Sequence, residues 1–266
     1  MEHTKMSKQT HVTSKPLQPI KRAIVIGASS GIGAALVREL TSQGYLVAAL
    51  ARREAELNAL CGAINAVSPD VPRAFPYAHD VRETAVIPSL FQQIVQELGG
   101  LDLIIYAAGV QPAVDLEEYD FAKDRAMIET NLLGAIAWLN EAAMRFARAR
   151  RGHIVAISSI AGDRGRVGAP VYNSSKAGLN TYLEALRNRL AKKRVTVTTI
   201  KPGFVDTVLL ANAPKTFWVI SPEEAARQIF EAAQKKRQVA YVPPRWGLVG
   251  LIIRHIPSFI FRRLNF

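Results

Sequence analysis

Ala23-Ile24-Val25-Ile26-Gly27-Ala28-Ser29-Ser30-Gly31-Ile32-Gly33 is the stretch on which the fold turns. Four apolar residues in a row read as a strand buried on both faces, and the glycines after them as a tight turn into a helix. Strand, glycines, then helix is the context a glycine cluster needs in order to bind phosphate. Gly27 permits the turn, Gly31 lets the backbone approach a pyrophosphate, and Gly33 allows close packing of helix on strand. Ser29, Ser30 and Ile32 complete the turn. The helix that follows presents unpaired N–H groups to an anion. The spacing is G-x-x-x-G-x-G, and a plain glycine-rich turn is the alternative reading.

Outward from this turn, short apolar runs keep alternating with helical patterns. Strands are predicted over 23–26, 45–50, 73–79, 101–106, 153–158, 195–200 and 239–242. Helices are predicted over 32–43, 53–66, 84–98, 123–148, 172–192 and 222–235, with Gly44 stopping the first. Strands buried on both faces and separated by helices imply a parallel sheet covered on both sides. Right-handed crossovers then give a doubly wound α/β fold. The prediction is a single Rossmann-type domain over 22–244 with a mostly parallel, seven-stranded sheet. A flexible polar arm over 1–21 precedes it, and an apolar, basic extension over 245–266 follows. The 266 residues suffice for one large domain, and no internal repeat or linker divides them.

The net charge of +12 is concentrated at the ends. Residues 1–22 and 245–266 each carry four net positive charges, which leaves four for everything between. That distribution, without a zinc-finger, RNA-binding or basic-heptad signature, argues against nucleic acid as a partner. The run Arg145, Arg148, Arg150, Arg151 reads as a solvated helix end, where cations suit the helix dipole. The single cysteine, Cys61, leaves no internal disulfide and no cysteine-rich zinc site, and no metal is expected. Residues 1–21 lack the apolar core of a signal peptide, so the expected place of action is the cytoplasm.

Arg52 and Arg53 stand at the end of the second predicted strand. An acid there accepts hydrogen bonds from the ribose of NAD, whereas a basic residue pairs with a 2′-phosphate. Residues 50–53 include no acid, so NADP(H) is the preferred cofactor and NAD(H) the alternative. An exposed helix start is the plainer reading of the same arginines. Asp80 and Val81, after the third strand, are placed to meet an adenine, unless Asp80 caps the next helix. Tyr172 and Lys176 are four apart on a predicted helix and share a face. An ammonium beside the phenol lowers the Tyr172 pKa from its ordinary value of about 10. The phenol can then protonate a carbonyl oxygen as hydride arrives at carbon. Ser159 ends the fifth strand, at the sheet edge where such folds bind ligands, and can hold the same oxygen. Asn131 lies in an apolar stretch of the long helix, where a buried amide needs partners.

Together these residues resemble the short-chain dehydrogenase/reductase family over roughly 22–243. The resemblance implies a carbonyl reductase or alcohol dehydrogenase that acts on a small molecule, as a homodimer or homotetramer. It lays the family's Asn, Ser, Tyr and Lys on Asn131, Ser159, Tyr172 and Lys176. Asn131 would position a water in a proton relay, and Lys176 would also bond the nicotinamide ribose. Ala108 and Gly109 would line the cofactor, Pro202, Gly203, Val205 and Thr207 would lie beneath the nicotinamide, and Arg52 is the basic residue of NADP-preferring members. The chain departs from the family at Ile26, where Thr is usual, and at Tyr106-Ala107-Ala108-Gly109, where Asn-Asn-Ala-Gly is usual. Local effects on sheet packing and on the adenine-ribose contact are expected.

Residues 204–219 are expected to form a lid. Phe204, Val208, Leu209, Leu210, Phe217 and Trp218 stand there against Asp206 and Lys215 as the charges. Such a lid favours a lipophilic substrate, although apolar residues also serve simply to close a lid on the body. Arg164 and Arg166 read as solvated loop residues, with contact to an anionic group as the alternative. The apolar runs at 246–253 and 258–261 are too short to span a bilayer. Aromatic residues with interleaved arginines suit a helix lying in a membrane interface, and packing on the subunit or across an oligomer fits equally. Membrane contact would give weight to a lipid-linked carbonyl substrate. A non-catalytic NADPH sensor or membrane scaffold is the rival reading, opposed by the complete tetrad.

Overall fold

The computed structural model describes residues 20–212 and 216–264. Its elements begin β1 (Lys21–Ile26), α1 (Gly31–Ser42), β2 (Tyr45–Ala51), α2 (Glu54–Asn65), β3 (Ala74–Ala78), α3 (Ile87–Glu97) and β4 (Leu103–Tyr106). They continue α4 (Phe121–Ile128), α5 (Gly134–Ala149), β5 (His153–Ile157), α6 (Pro170–Leu190), β6 (Thr196–Pro202), α7 (Pro222–Gln234) and β7 (Val239–Val242). Two helices lie beyond the sheet, α8 (Trp246–His255) and α9 (Ser258–Phe261). The predicted arm over 1–21 lies almost wholly outside the described residues.

The seven strands form one sheet in the order β3-β2-β1-β4-β5-β6-β7, with every pairing parallel. The single-domain α/β prediction is met. Strand order reverses at β1, which pairs with β2 on one side and β4 on the other. The glycine turn leaves β1 at this switch point, where open α/β sheets bind ligands.

Side-chain alternation decides which helices cover which face. Ala23 and Val25 of β1 pack with Leu36 and Leu40 of α1 and Ile229 of α7. Ile24 and Ile26 point the other way, among Phe91 of α3, Trp138 of α5 and Leu183 of α6. Both faces are dry, so the strands read as continuous apolar runs. Each such aliphatic side chain contributes about 1.5–3 kcal/mol through burial. Helix starts follow local signals. At α7 the Ser221 hydroxyl accepts from the Glu224 amide at 3.1 Å, and Glu223 and Glu224 sit in the first turn.

One helix is predicted over 123–148, and the structure divides it. α4 ends at Ile128, a π-helical turn occupies Glu129–Leu133, and α5 begins at Gly134. A π turn carries an extra residue and disturbs the regular bonding pattern. Here the Tyr106 hydroxyl donates to the Thr130 carbonyl at 2.5 Å. Gly134 supplies the room, since a Cβ there would lie 2.9 Å from that hydroxyl. The departure at Tyr106 therefore acts on the turn that carries Asn131.

The segment after β7 packs on the domain. Trp246 is buried against Gly203, where any Cβ would collide with its indole. Gly250 rests on Asp163 and Tyr241. Beneath it Lys201 and Asp163 form a buried ion pair, and the Tyr241 hydroxyl donates to Asp163 at 2.6 Å. Arg164, predicted to be solvated, instead donates to the carbonyls of Ile253, at 2.8 Å, and Ile256, and lies 4.0 Å from the Phe261 ring centroid. Its guanidinium takes up carbonyls that the end of α8 leaves free. Among the described residues no helix is long and apolar enough to cross a membrane.

Candidate active site

The candidate residues gather at the carboxyl edge of the sheet: most lie on its loops, Gly31, Ile32 and Gly33 open α1, Pro202 ends β6, Asn131 lies in the π turn, and Tyr172 and Lys176 lie on α6. Gly27 adopts φ +89°, a left-handed value that favours glycine, and packs flat on the backbone of Ala107 and Ala108. Gly33 lies so close to the Gly27 carbonyl that a side chain would collide with it. A Cβ on Gly31 would meet Thr207 Cγ2 at 2.9 Å, so the glycine turn and the 203–207 segment face one another across a narrow gap.

These residues fit a dinucleotide. The start of α1 has no side-chain cap at Ser30 and no acidic residue in its first turn. Its unpaired N–H groups are thus free for an anion. Arg53 arches over the turn, with Nη2 2.9 Å from Ser29 Oγ and 2.6 Å from Ser30 Oγ. Arg52 is half-exposed and its Nη1 lies 3.8 Å from Asp80. Asp80 does not cap the next helix. Its carboxylate accepts from the Arg82 amide two residues on, at 3.0 Å, and from the Arg82 guanidinium. Those bonds hold the carboxyl below its ordinary range. Val81 is buried against Gly134, and Ala108 and Gly109 sit between the turn and α6.

Ser159, Tyr172 and Lys176 come together where the loop after β5 meets α6. Ser159 opens a 3-10 turn, its Oγ accepting from the Ala161 amide at 3.0 Å. That turn packs so tightly on α6 that a Cβ on Gly162 would meet the Lys176 backbone at 2.6 Å. Tyr172 is buried on the first turns of α6. Burial raises its pKa, while the Ser159 hydroxyl, hydrogen-bonding the phenol, and the Arg166 charge draw it down. The expectation that Lys176 brings the phenol down is not met. Lys176 Nζ donates to the Ile157 carbonyl at 3.0 Å and lies 5.8 Å from the Tyr172 ring centroid. Burial pushes Lys176 itself down to about 8.

Asn131 is fully buried in the π turn. Its Oδ1 accepts from the Val110 amide at 2.8 Å, and its Nδ2 donates to the Val110 carbonyl at 3.0 Å and to Ser175 Oγ at 3.1 Å. The amide thus ties the loop after β4 to α6, one residue short of Lys176. On the other flank, Pro202 ends β6 and Val205 is buried in a bridge to Ile220. Phe204 lies in an aromatic cluster with Phe217, Trp218 and Trp246, centroids 5.0–5.7 Å apart. Lys215 of the predicted lid lies outside the described residues.

One residue here carries no signal in the sequence, and another, Arg166, is predicted to be solvated but is half-buried beside Tyr172. Trp246 backs the 203–204 segment, and a tryptophan beyond the last strand carries no motif. Burial lowers the pKa of Arg166, and Tyr172 feels its charge. Its Nε has no partner among the described residues, and its Nη2 reaches Asn173 Oδ1 only at 3.5 Å. An arginine seven residues after a candidate serine gives no spacing signal.

The short chain dehydrogenase family model matches residues 21–217. An uncharacterised oxidoreductase of Myxococcus xanthus is 37% identical over 199 residues, covering 74% of this chain and 78% of its own. Another uncharacterised oxidoreductase, from Mycobacterium tuberculosis, is 30% identical over 224 residues, covering 84% and 88%. Among solved structures, a variant of actinorhodin polyketide ketoreductase with NADPH superposes with a TM-score of 0.72. It is 25% identical, over 80% of this chain and 89% of its own.

Proposed function

The chain belongs to the short-chain dehydrogenase family and is an NAD(P)-dependent oxidoreductase, and from that premise we propose that it reduces a ketone or aldehyde with NADPH. The observation that carries this reading is the meeting of Ser159, Tyr172 and Lys176 at the sheet edge that also holds the Gly27–Gly33 turn. The NADPH-containing ketoreductase that it resembles supports the same direction of chemistry.

The cofactor supplies hydride to the carbonyl carbon. Gly27, Ser29, Ser30, Gly31, Ile32 and Gly33 would hold its pyrophosphate at the start of α1, and Asp80, Val81, Ala108 and Gly109 would bind its adenosine. Arg52 and Arg53 are the two guanidiniums available to a 2′-phosphate, and the 50–53 stretch has no acid to bond an unphosphorylated ribose. Pro202, Gly203, Val205 and Thr207 would line the nicotinamide. Ser159 Oγ and the Tyr172 hydroxyl grip the carbonyl oxygen, and Tyr172 gives it a proton. Lys176, charged below about pH 8, would bond the nicotinamide ribose, while the Ser159 hydroxyl and the Arg166 charge favour the phenolate that remains. Asn131 acts as a clamp, since its side chain is committed to Val110 and Ser175; it serves a relay water only through its backbone.

The exposed Val208 and the aromatic cluster around Phe204 favour a lipophilic substrate. We also propose that the enzyme acts in the cytoplasm as a homodimer or homotetramer. Fluorescence titration with NADPH and NADH tests the cofactor assignment. NADPH should bind far more tightly, and Arg52→Asp should move preference toward NADH; equal binding to both cofactors would remove the 2′-phosphate argument. Tyr172→Phe should nearly abolish turnover while NADPH still binds. Full activity in that variant would refute the mechanism.

A further inference from the structure

α8 is apolar from Trp246 to Ile253, yet half of that stretch faces outward. Trp246 and Gly250 turn inward and are buried. Leu248, Leu251 and Ile252, at the complementary positions, are 50–65% exposed. On α9, Phe259 and Ile260 are 59% and 43% exposed, and Phe217 and Trp218 of the lid 51% and 45%. A helical stretch with apolar residues on both sides belongs in an interior, so the outward half of 246–253 lacks a cover. Its setting is fixed: Trp246 is wedged against Gly203, Gly250 rests on Asp163 and Tyr241, and Arg164 holds the junction of α8 and α9.

The charge around this face identifies the cover. Residues 245–266 contain Arg245, Arg254, Arg262 and Arg263 and no acid. Arg254, Arg262 and Arg263 are exposed, and Arg245 stacks on Trp218 at 5.0 Å. A second copy of the same face would set these arginines against their own kind. An anionic lipid surface satisfies both features. It buries the leucine, isoleucine and phenylalanine side chains, and its headgroups meet the guanidiniums.

We propose that the exposed side of α8 and α9, with Phe217 and Trp218, docks this protein on an anionic bilayer surface without crossing it. The patch continues through Trp218 and Trp246 to Phe204 and Gly203. Docking would therefore set the mouth of the site at the lipid boundary, where a lipophilic carbonyl compound is concentrated. That last point rests on the reductase reading; the docking itself does not.

Flotation of the full chain with vesicles of phosphatidylcholine alone, or of phosphatidylcholine with phosphatidylglycerol, tests the proposal without any turnover. The protein should float with the anionic vesicles and at least about tenfold less with the neutral ones. Leu251→Glu with Ile252→Glu should abolish flotation. Arg262→Glu with Arg263→Glu should weaken it by about fivefold or more per arginine, an effect that added salt suppresses in the unaltered chain. All four positions are exposed, and unchanged melting curves would confirm folding of the variants. Failure of the full chain to float with anionic vesicles overturns the proposal, as does unaltered flotation of the Leu251→Glu, Ile252→Glu variant. So does a drop in apparent mass on introducing that pair, which would assign the face to a second copy. Loss of NADPH binding or of turnover would count against the reductase reading alone.

Discussion

Gly134→Ala and Tyr106→Phe, made singly and together, probe the contact that shapes the π turn. The alanine methyl would lie 2.9 Å from the Tyr106 hydroxyl and 3.0 Å from two carbons of Val81. Overpacking of this kind costs about 1–3 kcal/mol, offset in part by about 1 kcal/mol of helix propensity. Tyr106→Phe removes the 2.5 Å hydrogen bond to the Thr130 carbonyl, at about 0.5–1.5 kcal/mol. In the double variant the hydroxyl is gone and the methyl has space on that side. The helix-propensity and Val81 contributions occur with and without the hydroxyl, so they cancel in the cycle. The double variant should be more stable than the sum of the single effects by about 1 kcal/mol, within the usual range for touching residues. Urea unfolding of the four proteins, followed by circular dichroism, reads this directly. Coupling below about 0.3 kcal/mol, or of opposite sign, would refute the claim that the hydroxyl and Gly134 share one space.

Arg166→Met should raise the Tyr172 pKa further, because the Arg166 charge now draws it down. The proton-donating form then survives to higher pH, so the alkaline fall of the reductive rate and the alkaline rise of the oxidative rate both move upward; unmoved pH profiles would contradict this. His153, its Nε2 2.8 Å from Thr198 Oγ1, is held down to about 4 from 6.5 by burial and, less, by Lys236. The unfolded chain takes up this proton first, so up to about 3 kcal/mol of stability is present above pH 6.5 and lost as pH falls through 4. His153→Gln should flatten the melting temperature between those limits, and an equal slope in the variant would show that another group is responsible. Trp246→Ala should cost about 3–5 kcal/mol in urea unfolding, whereas Leu248→Ala should stay within about 0.5; similar losses at both positions would mean that α8 is not oriented as described.

What the sequence revealed follows from the range of the forces involved. Ala23–Ile26 is apolar because both faces of β1 are covered, and the glycine turn must follow it locally, so both are legible in consecutive residues. Tyr172 and Lys176 are likewise one helical turn apart. The break in the long helix was not legible, because it depends on Tyr106 reaching Thr130 from another strand. Nor was the engagement of Arg164, whose partners Ile253 and Ile256 lie far along the chain. The phenol's pKa was misjudged for a related reason. Spacing sets Lys176 beside Tyr172, but the burial that raises the phenol's pKa is a property of the assembled fold.

The indole of Trp246 against Gly203 imposes an order in time. During synthesis the glycine turn, Ser159 and α6 are all made before the tryptophan that backs the 203–204 wall. The 203–204 wall is therefore complete only once α8 has folded back onto Gly203, and a clip between β7 and α8 would undo that contact.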